Sequence, residues 1–118
     1  MSFKKSYTFL QRSEEVSRIL KKYPDKIPII CEQNYHSSKI HNNYNIKKNK
    51  FLVPDDFNVG QFIYIIRQQL SLKPEIGLFI FINGYIPSSS EYLYTIHNRL
   101  RDPDGFLYIT YSFEHTFG

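Results

Sequence analysis

Three features of the sequence predict an α+β fold in a single domain. The chain has 118 residues, and one small domain with one core takes roughly 100–200. Apolar residues recur with a helical period in some stretches and as short β-branched runs in others. Between these stretches stand prolines and the dipeptides Asn83-Gly84 and Asp104-Gly105, which are turn signals. With 42% hydrophobic and 17% aromatic residues, the chain carries too much apolar material for a disordered tail.

The elements follow in order. A short turn at residues 3–5 precedes a helix in which Val16, Ile19, Leu20 and Tyr23 fall at i, i+3, i+4 and i+7, with Phe9 one heptad earlier on the same stripe. Tyr23-Pro24-Asp25 stops it, because the residue before proline is pushed out of the α region. Ile27-Pro28-Ile29-Ile30-Cys31-Glu32 is β-branched and too short for a helix, so it is a strand with its proline near the start. Residues 33–49 are polar with few apolar anchors and read as a long exposed connection, after which Lys50-Phe51-Leu52-Val53-Pro54 resumes strand character. Asn58 with Gln61 fits a capping box, and Val59, Phe62, Ile63, Ile66 and Leu70 follow at helical spacing. Residues 78–82 read as a buried strand, Asn83-Gly84 as a two-residue hairpin turn and Tyr85-Ile86-Pro87 as a short return strand. Residues 88–91 start a further helix holding Leu93, Ile96 and Leu100, Asp102-Pro103-Asp104-Gly105 is a turn, and residues 106–111 alternate as a last strand.

Two strands followed by a helix that crosses back onto the sheet is the β-grasp order, as in ubiquitin, here with additional N-terminal helices. The expected organisation is one domain over residues 1–118. Residues 1–25 form a helical extension, 26–111 the β-grasp core, and 112–118, which lack a core pattern, a flexible tail.

Composition narrows the function. No apolar run approaches the roughly 18 residues of a membrane span, and the N-terminus lacks the apolar block of a signal peptide, so a cytoplasmic chain is expected. Cys31 cannot make an internal disulfide, and one thiol with four scattered histidines offers no metal-ligand spacing, so no metal or other bound cofactor is expected. No nucleophile–base pair or paired carboxylates stand out, and a cysteine in a buried strand is inert, so an enzyme is not expected. Residues 1–50 carry eleven basic and four acidic groups, +7, whereas residues 51–118 carry four and seven, −3. That asymmetry points to an anionic partner.

Four separate segments carry a resemblance: Lys21-Lys22-Tyr23-Pro24-Asp25-Lys26-Ile27-Pro28-Ile29-Ile30, Lys50-Phe51-Leu52-Val53-Pro54, Val59-Gly60-Gln61-Phe62 and Asp104-Gly105-Phe106-Leu107-Tyr108. In this order and spacing they resemble the autophagy-related ubiquitin-like modifiers, the family of GABARAP and the microtubule-associated protein light chain proteins, from about Phe9 to Gly118. The resemblance implies a substrate of an enzyme cascade. A cysteine protease exposes a C-terminal glycine and later releases it from lipid. An activating enzyme adenylates that glycine and takes it as a thioester, and a conjugating enzyme passes it to phosphatidylethanolamine. Phe117-Gly118 matches the family's aromatic-then-glycine ending and makes Gly118 the expected conjugation residue. Glycine suits the task because its carbonyl enters a narrow cleft with no Cβ in the way. The two acyl chains of the lipid, at about 0.8 kcal/mol per buried CH₂, make a stable anchor, which implies an autophagosomal or related membrane besides the cytoplasm.

The resemblance also implies a peptide groove along Lys50-Phe51-Leu52-Val53-Pro54, and this strand would be a sheet edge able to accept an extended peptide. Partner receptors and adaptors present an aromatic residue, two spacers and an aliphatic residue, with acids before them. The first pocket is expected from Glu15, Ile19, Pro28, Ile30, Lys50, Leu52 and Phe106. The second is expected from Phe51, Val53, Pro54, Phe57, Phe62, Ile65 and Ile66. Lys26, Lys48, Lys50 and Arg67 form the basic rim. Two anchors at ~1.5–3 kcal/mol each, less ~2–5 kcal/mol for ordering the peptide, leave little surplus, so backbone pairing and rim charges supply the rest of the roughly micromolar binding, about −8 kcal/mol, expected of a monomer. The chain departs from the family in its longer 33–49 connection, in Arg67-Gln68-Gln69 where relatives carry successive basic residues, and at Tyr94, His97 and Arg99. Two other readings stay open: a β-grasp adaptor that binds peptides without being conjugated, and a nucleic-acid module using basic residues interleaved with aromatics.

Overall fold

The computed structural model describes residues 2–34, 46 and 48–114. Its elements are α1 (Phe3–Ser6), α2 (Phe9–Lys22), β1 (Lys26–Gln33), β2 (Lys50–Pro54), α3 (Val59–Leu70), β3 (Gly77–Phe81), α4 (Leu93–Leu100) and β4 (Leu107–Glu114). Local chemistry starts the two long helices. Thr8 and Gln11 form a reciprocal capping box on α2, and Asn58 and Gln61 form the expected one on α3, with both hydrogen bonds at 2.8 Å. Ser71 closes α3 in a left-handed conformation, φ 50°.

The four strands make one sheet in the order β2-β1-β4-β3, with β1 and β4 parallel in the centre and both outer pairs antiparallel. This is the ubiquitin-like α+β architecture expected, and β2 is an edge strand as anticipated. Pairing of β1 with β4 begins at Ile29, one residue past Pro28, so the proline's missing N–H falls outside that register.

Strand alternation separates two cores. Ile27, Ile29 and Cys31 of β1, Phe51 and Val53 of β2, and Leu107, Ile109, Tyr111 and Phe113 of β4 face α3 and α4, where Phe62, Ile66, Leu93 and Ile96 meet them. On the opposite face Ile30 and Phe106 join Phe3 of α1 and Val16 of α2 in a smaller cluster edged by Ile19 and Tyr108. The central strand β1 is therefore covered on both sides, which explains its unbroken β-branched run.

Several expectations are corrected. The turn at 3–5 is a helical turn that buries Phe3. The stripe on α2 is mostly in solvent: Val16 is buried and Ile19 half-buried, but Phe9 is 52% exposed and Leu20 and Tyr23 are also exposed. The helix meets the sheet along a narrow line through Val16 and Ile19, with Phe3 in the same cluster. The stretch read as a buried strand is a half-buried sheet edge, with Ile80 and Ile82 inside and Phe79 outside. The return strand is a single bridge, Ile82 to Tyr85, across Asn83 (φ 50°) and Gly84 (φ 84°). Residues 88–91 form their own turn, closed by Ser88 N–H on the Glu91 carboxylate at 2.7 Å, and α4 begins later, at Leu93. The last strand continues to Glu114, three residues into the segment read as tail, because Phe113 finds a place in the main core. Gly118 and most of the 33–49 connection lie outside the described residues.

The turn between α4 and β4 ties the layers together. Asp104 is buried and accepts from Arg12 Nη1 at 2.5 Å, the Tyr108 hydroxyl at 2.6 Å and the Phe106 N–H at 2.8 Å. Asp102 pairs with Lys4 of α1 at 2.5 Å. Gly105 takes φ 99°, and a Cβ there would meet Val16 Cγ1 at 2.6 Å. His97 Nε2–H donates to the Gly105 carbonyl at 2.9 Å from α4.

Two predictions follow from this turn. Gly105→Ala combines a strained φ with a clash on α2 and is expected to cost about 1–3 kcal/mol, read as a lower denaturation midpoint at unchanged slope. Burial lowers the pKa of His97 below its ordinary 6.5, so the folded chain refuses a proton that the unfolded chain accepts. Stability is therefore expected to fall as pH drops below about 6.5, and His97→Gln to flatten melting curves there. The lowered pKa of Asp102, held down by Lys4 against the opposing effect of burial, acts only at more acidic pH, where stability is lost as the carboxylate protonates.

Candidate groove beside the edge strand

Among the described residues the outer side of β2 carries no strand partner, and α2 reaches this edge through Glu15. Register brings the expected first-pocket residues into adjacency: Leu52 stands opposite Pro28, and Lys50 opposite Ile30. From α2, Glu15 forms an ion pair with Lys50, and Ile19 packs against the cluster containing Ile30 and Phe106. Phe106 is fully buried and forms the floor, whereas Leu52 is 37% exposed at the rim. Both charged partners reach solvent, so the Glu15–Lys50 pair is worth at most ~1 kcal/mol and can be exchanged for a charged ligand.

Sequence reasoning missed Phe3 here. Its ring lies 5.3 Å from that of Phe106, edge to face, and 5.7 Å from Lys50 Nζ, while its N–H donates to Glu32 at 2.9 Å. An aromatic this close to the terminus has no periodic partner in sequence, so only the paired ring reveals it. The Thr8–Gln11 capping box that positions α2 was missed as well, although Thr followed three residues on by Gln is the signal that would have found it.

The second set is distributed differently. Phe51, Val53, Phe62 and Ile66 belong to the main core, with the Phe51 and Phe62 rings 5.7 Å apart and edge to face. Phe57, Ile65 and Pro54 are half-buried and form the accessible part of this region. Among the basic residues, Lys48 is exposed with Nζ 5.1 Å from the Phe51 ring, and Lys26 lies opposite Pro54. Arg67 instead donates to the carbonyls of Ile76 and Lys73, both at 2.8 Å, and so holds the connection between α3 and β3. Cys31 is completely buried, which pushes its thiol pKa up and keeps it protonated. Among the described residues no three potential metal ligands come together.

Among the described residues the site brings together a strand edge without a partner, an aromatic floor and cations at its start. A family model described as autophagy protein Atg8 ubiquitin like matches residues 11–118. Autophagy-related protein 8 of Schizosaccharomyces pombe is 47% identical over 116 residues, covering 98% of this chain and 93% of that protein. Its counterpart in Mycosarcoma maydis is 43% identical over 117 residues, covering 99% and 96%. A crystal structure of Trypanosoma brucei ATG8 superposes with a TM-score of 0.89 at 39% identity, covering 100% of this chain and 98% of the other.

Rim and floor should separate in unfolding experiments. Leu52→Ala is expected to change stability by less than ~1 kcal/mol, whereas Phe106→Ala is expected to lose ~3–5 kcal/mol. Equal losses in denaturant titrations would make Leu52 a core residue rather than a docking one.

Proposed function

This chain belongs to the Atg8 family of ubiquitin-like autophagy proteins, and from that premise we propose that it is a lipid-conjugated modifier whose groove recruits receptors, not an enzyme. The observation that carries the recruiting half is the edge of β2, without a strand partner among the described residues, beside the apolar cluster of Phe3, Ile30 and Phe106. An extended peptide adds its backbone to that edge, with its aromatic residue over the first cluster and its aliphatic residue toward Phe57 and Ile65. Acids preceding the motif meet Lys48 and Lys50, and one of them replaces Glu15 as the partner of Lys50.

The conjugating half uses Gly118. Its carboxylate is adenylated by ATP with release of pyrophosphate, and an enzyme thiolate then displaces AMP to form a thioester. The amine of phosphatidylethanolamine attacks that carbonyl, loses a proton and expels the thiolate, leaving an amide. Among the described residues no helix is long and apolar enough to cross a membrane, and in this reading the lipid supplies the anchorage. The partners are the activating and conjugating enzymes, a deconjugating cysteine protease, and receptors carrying the aromatic-x-x-aliphatic motif. The chain works as a monomer in the cytoplasm and on autophagosomal membranes, without a cofactor of its own.

Incubation with activating and conjugating enzymes, ATP and phosphatidylethanolamine liposomes tests this, with intact mass and flotation as readouts. The expected result is a gain of one lipid that Gly118→Ala abolishes while binding of an acidic Trp-x-x-Leu peptide is kept. No gain, with the enzymes active on a relative, would leave a peptide-binding adaptor.

A further inference from the structure

Beyond the end of β2 lies a second concave surface that the groove does not use. Asp55 and Asp56, in the turn after Pro54, and Tyr92, Tyr94 and Thr95, at the start of α4, line an open depression of about 570 Å³. Its two walls are fixed to each other through the backbone. The Leu93 N–H donates to the Phe57 carbonyl at 3.0 Å, the Val59 N–H to the Glu91 carbonyl at 2.9 Å, and Asn58 bridges Tyr92. Tyr92 and Tyr94 are 56% and 54% exposed, so both side chains are accessible to a ligand. Neither aspartate is paired with a cation among the described residues, and no basic side chain lines the depression; the nearest in register, Lys26, stands opposite Pro54.

Geometry relates this surface to the groove. The aromatic position of a docked peptide lies beside Lys50 and Leu52, and the aliphatic position beyond Val53, toward Pro54 and Phe57. A peptide carrying them in that order runs parallel to β2, and the residues after its aliphatic position leave toward Asp55. We propose that the depression receives a lysine or arginine side chain from the segment that follows the aliphatic residue of a docked peptide. The proposal rests on the peptide-binding reading above and adds the chemistry of the partner's C-terminal flank. Two carboxylates beside two accessible tyrosines are groups that a cationic side chain recognises, through charge-assisted hydrogen bonds and through the ring quadrupole. The groove then has a charge polarity, with lysines at its entry and aspartates past its exit. A partner with acids before the motif and a base after it is favoured over the reverse orientation.

Fluorescence anisotropy with synthetic peptides tests this. All share an acidic segment and a Trp-x-x-Leu core, and a lysine is stepped through the positions after the leucine against an all-alanine flank. One or two lysine positions are expected to tighten binding about threefold to tenfold, less so at high salt. The double variant Asp55→Asn, Asp56→Asn and, separately, Tyr94→Ala are expected to remove that gain while leaving the melting temperature and the alanine-flanked affinity unchanged. Equal affinity for all flanks, with the core motif still bound, overturns the proposal alone. A gain that survives the double variant, or a loss shared by the alanine-flanked peptide together with a lower melting temperature, also overturns it. Failure of every peptide to bind overturns the groove reading and the proposal with it.

Discussion

The buried carboxylate of Asp104 is the constraint on which the groove side of this protein depends. It sits in the turn leading into β4, accepts hydrogen bonds from Arg12, Tyr108 and the backbone of Phe106, and so links α2, the turn and the strand in one network. Beside it Gly105 lets Val16 approach where any side chain would collide. These polar and steric contacts matter because α2 has little hydrophobic hold on the sheet, its stripe being largely in solvent. Without them the wall of the first pocket would rest on Phe3, Val16 and Ile19 and the solvent-reaching Glu15–Lys50 pair. A buried ion pair of this kind is costly to break from one side, since the remaining charge is left uncompensated.

The sheet then divides the molecule into a stable half and a recognising half. On one face the α3 and α4 helices complete a continuous core with all four strands. On the other, a small cluster beneath α2 leaves room at the β2 edge, where backbone groups and a shallow aromatic floor meet solvent. The same strand serves both halves by alternation: Phe51 and Val53 face the main core, and Lys50 and Leu52 face the groove. Charge follows the division, with Lys48 and Lys50 at the groove entry and the acidic turn after Pro54 at its far end.

Most elements were legible because their signals are local. The Asn58–Gln61 cap, the Asn83-Gly84 turn and the β-branched run of β1 each state their structure within a few residues. What was misread depends on neighbours distant in sequence. Phe79 lies in an apolar run but on a sheet edge, and Leu20 lies on an apolar stripe with nothing above it. Phe113 lies in an unpatterned segment yet finds space between strand and helix, and so draws β4 onward to Glu114. Arg67 has the charge expected of a rim residue, but the carbonyls of the following loop take its guanidinium.

By itself the sequence determined the order of elements, the β-grasp topology and the family, because caps, turns and periodicity act over short range and separate motifs together leave few alternatives. Only the tertiary structure decided which faces of those elements are covered, that Phe3 joins Phe106, that Glu15 meets Lys50, and that the turn after β2 and the start of α4 enclose a common depression. The physical reason is that burial and ion pairing are properties of approach between segments. Residues 35 positions apart for Glu15 and Lys50, and 92 for Arg12 and Asp104, carry no mark of one another until the chain has folded.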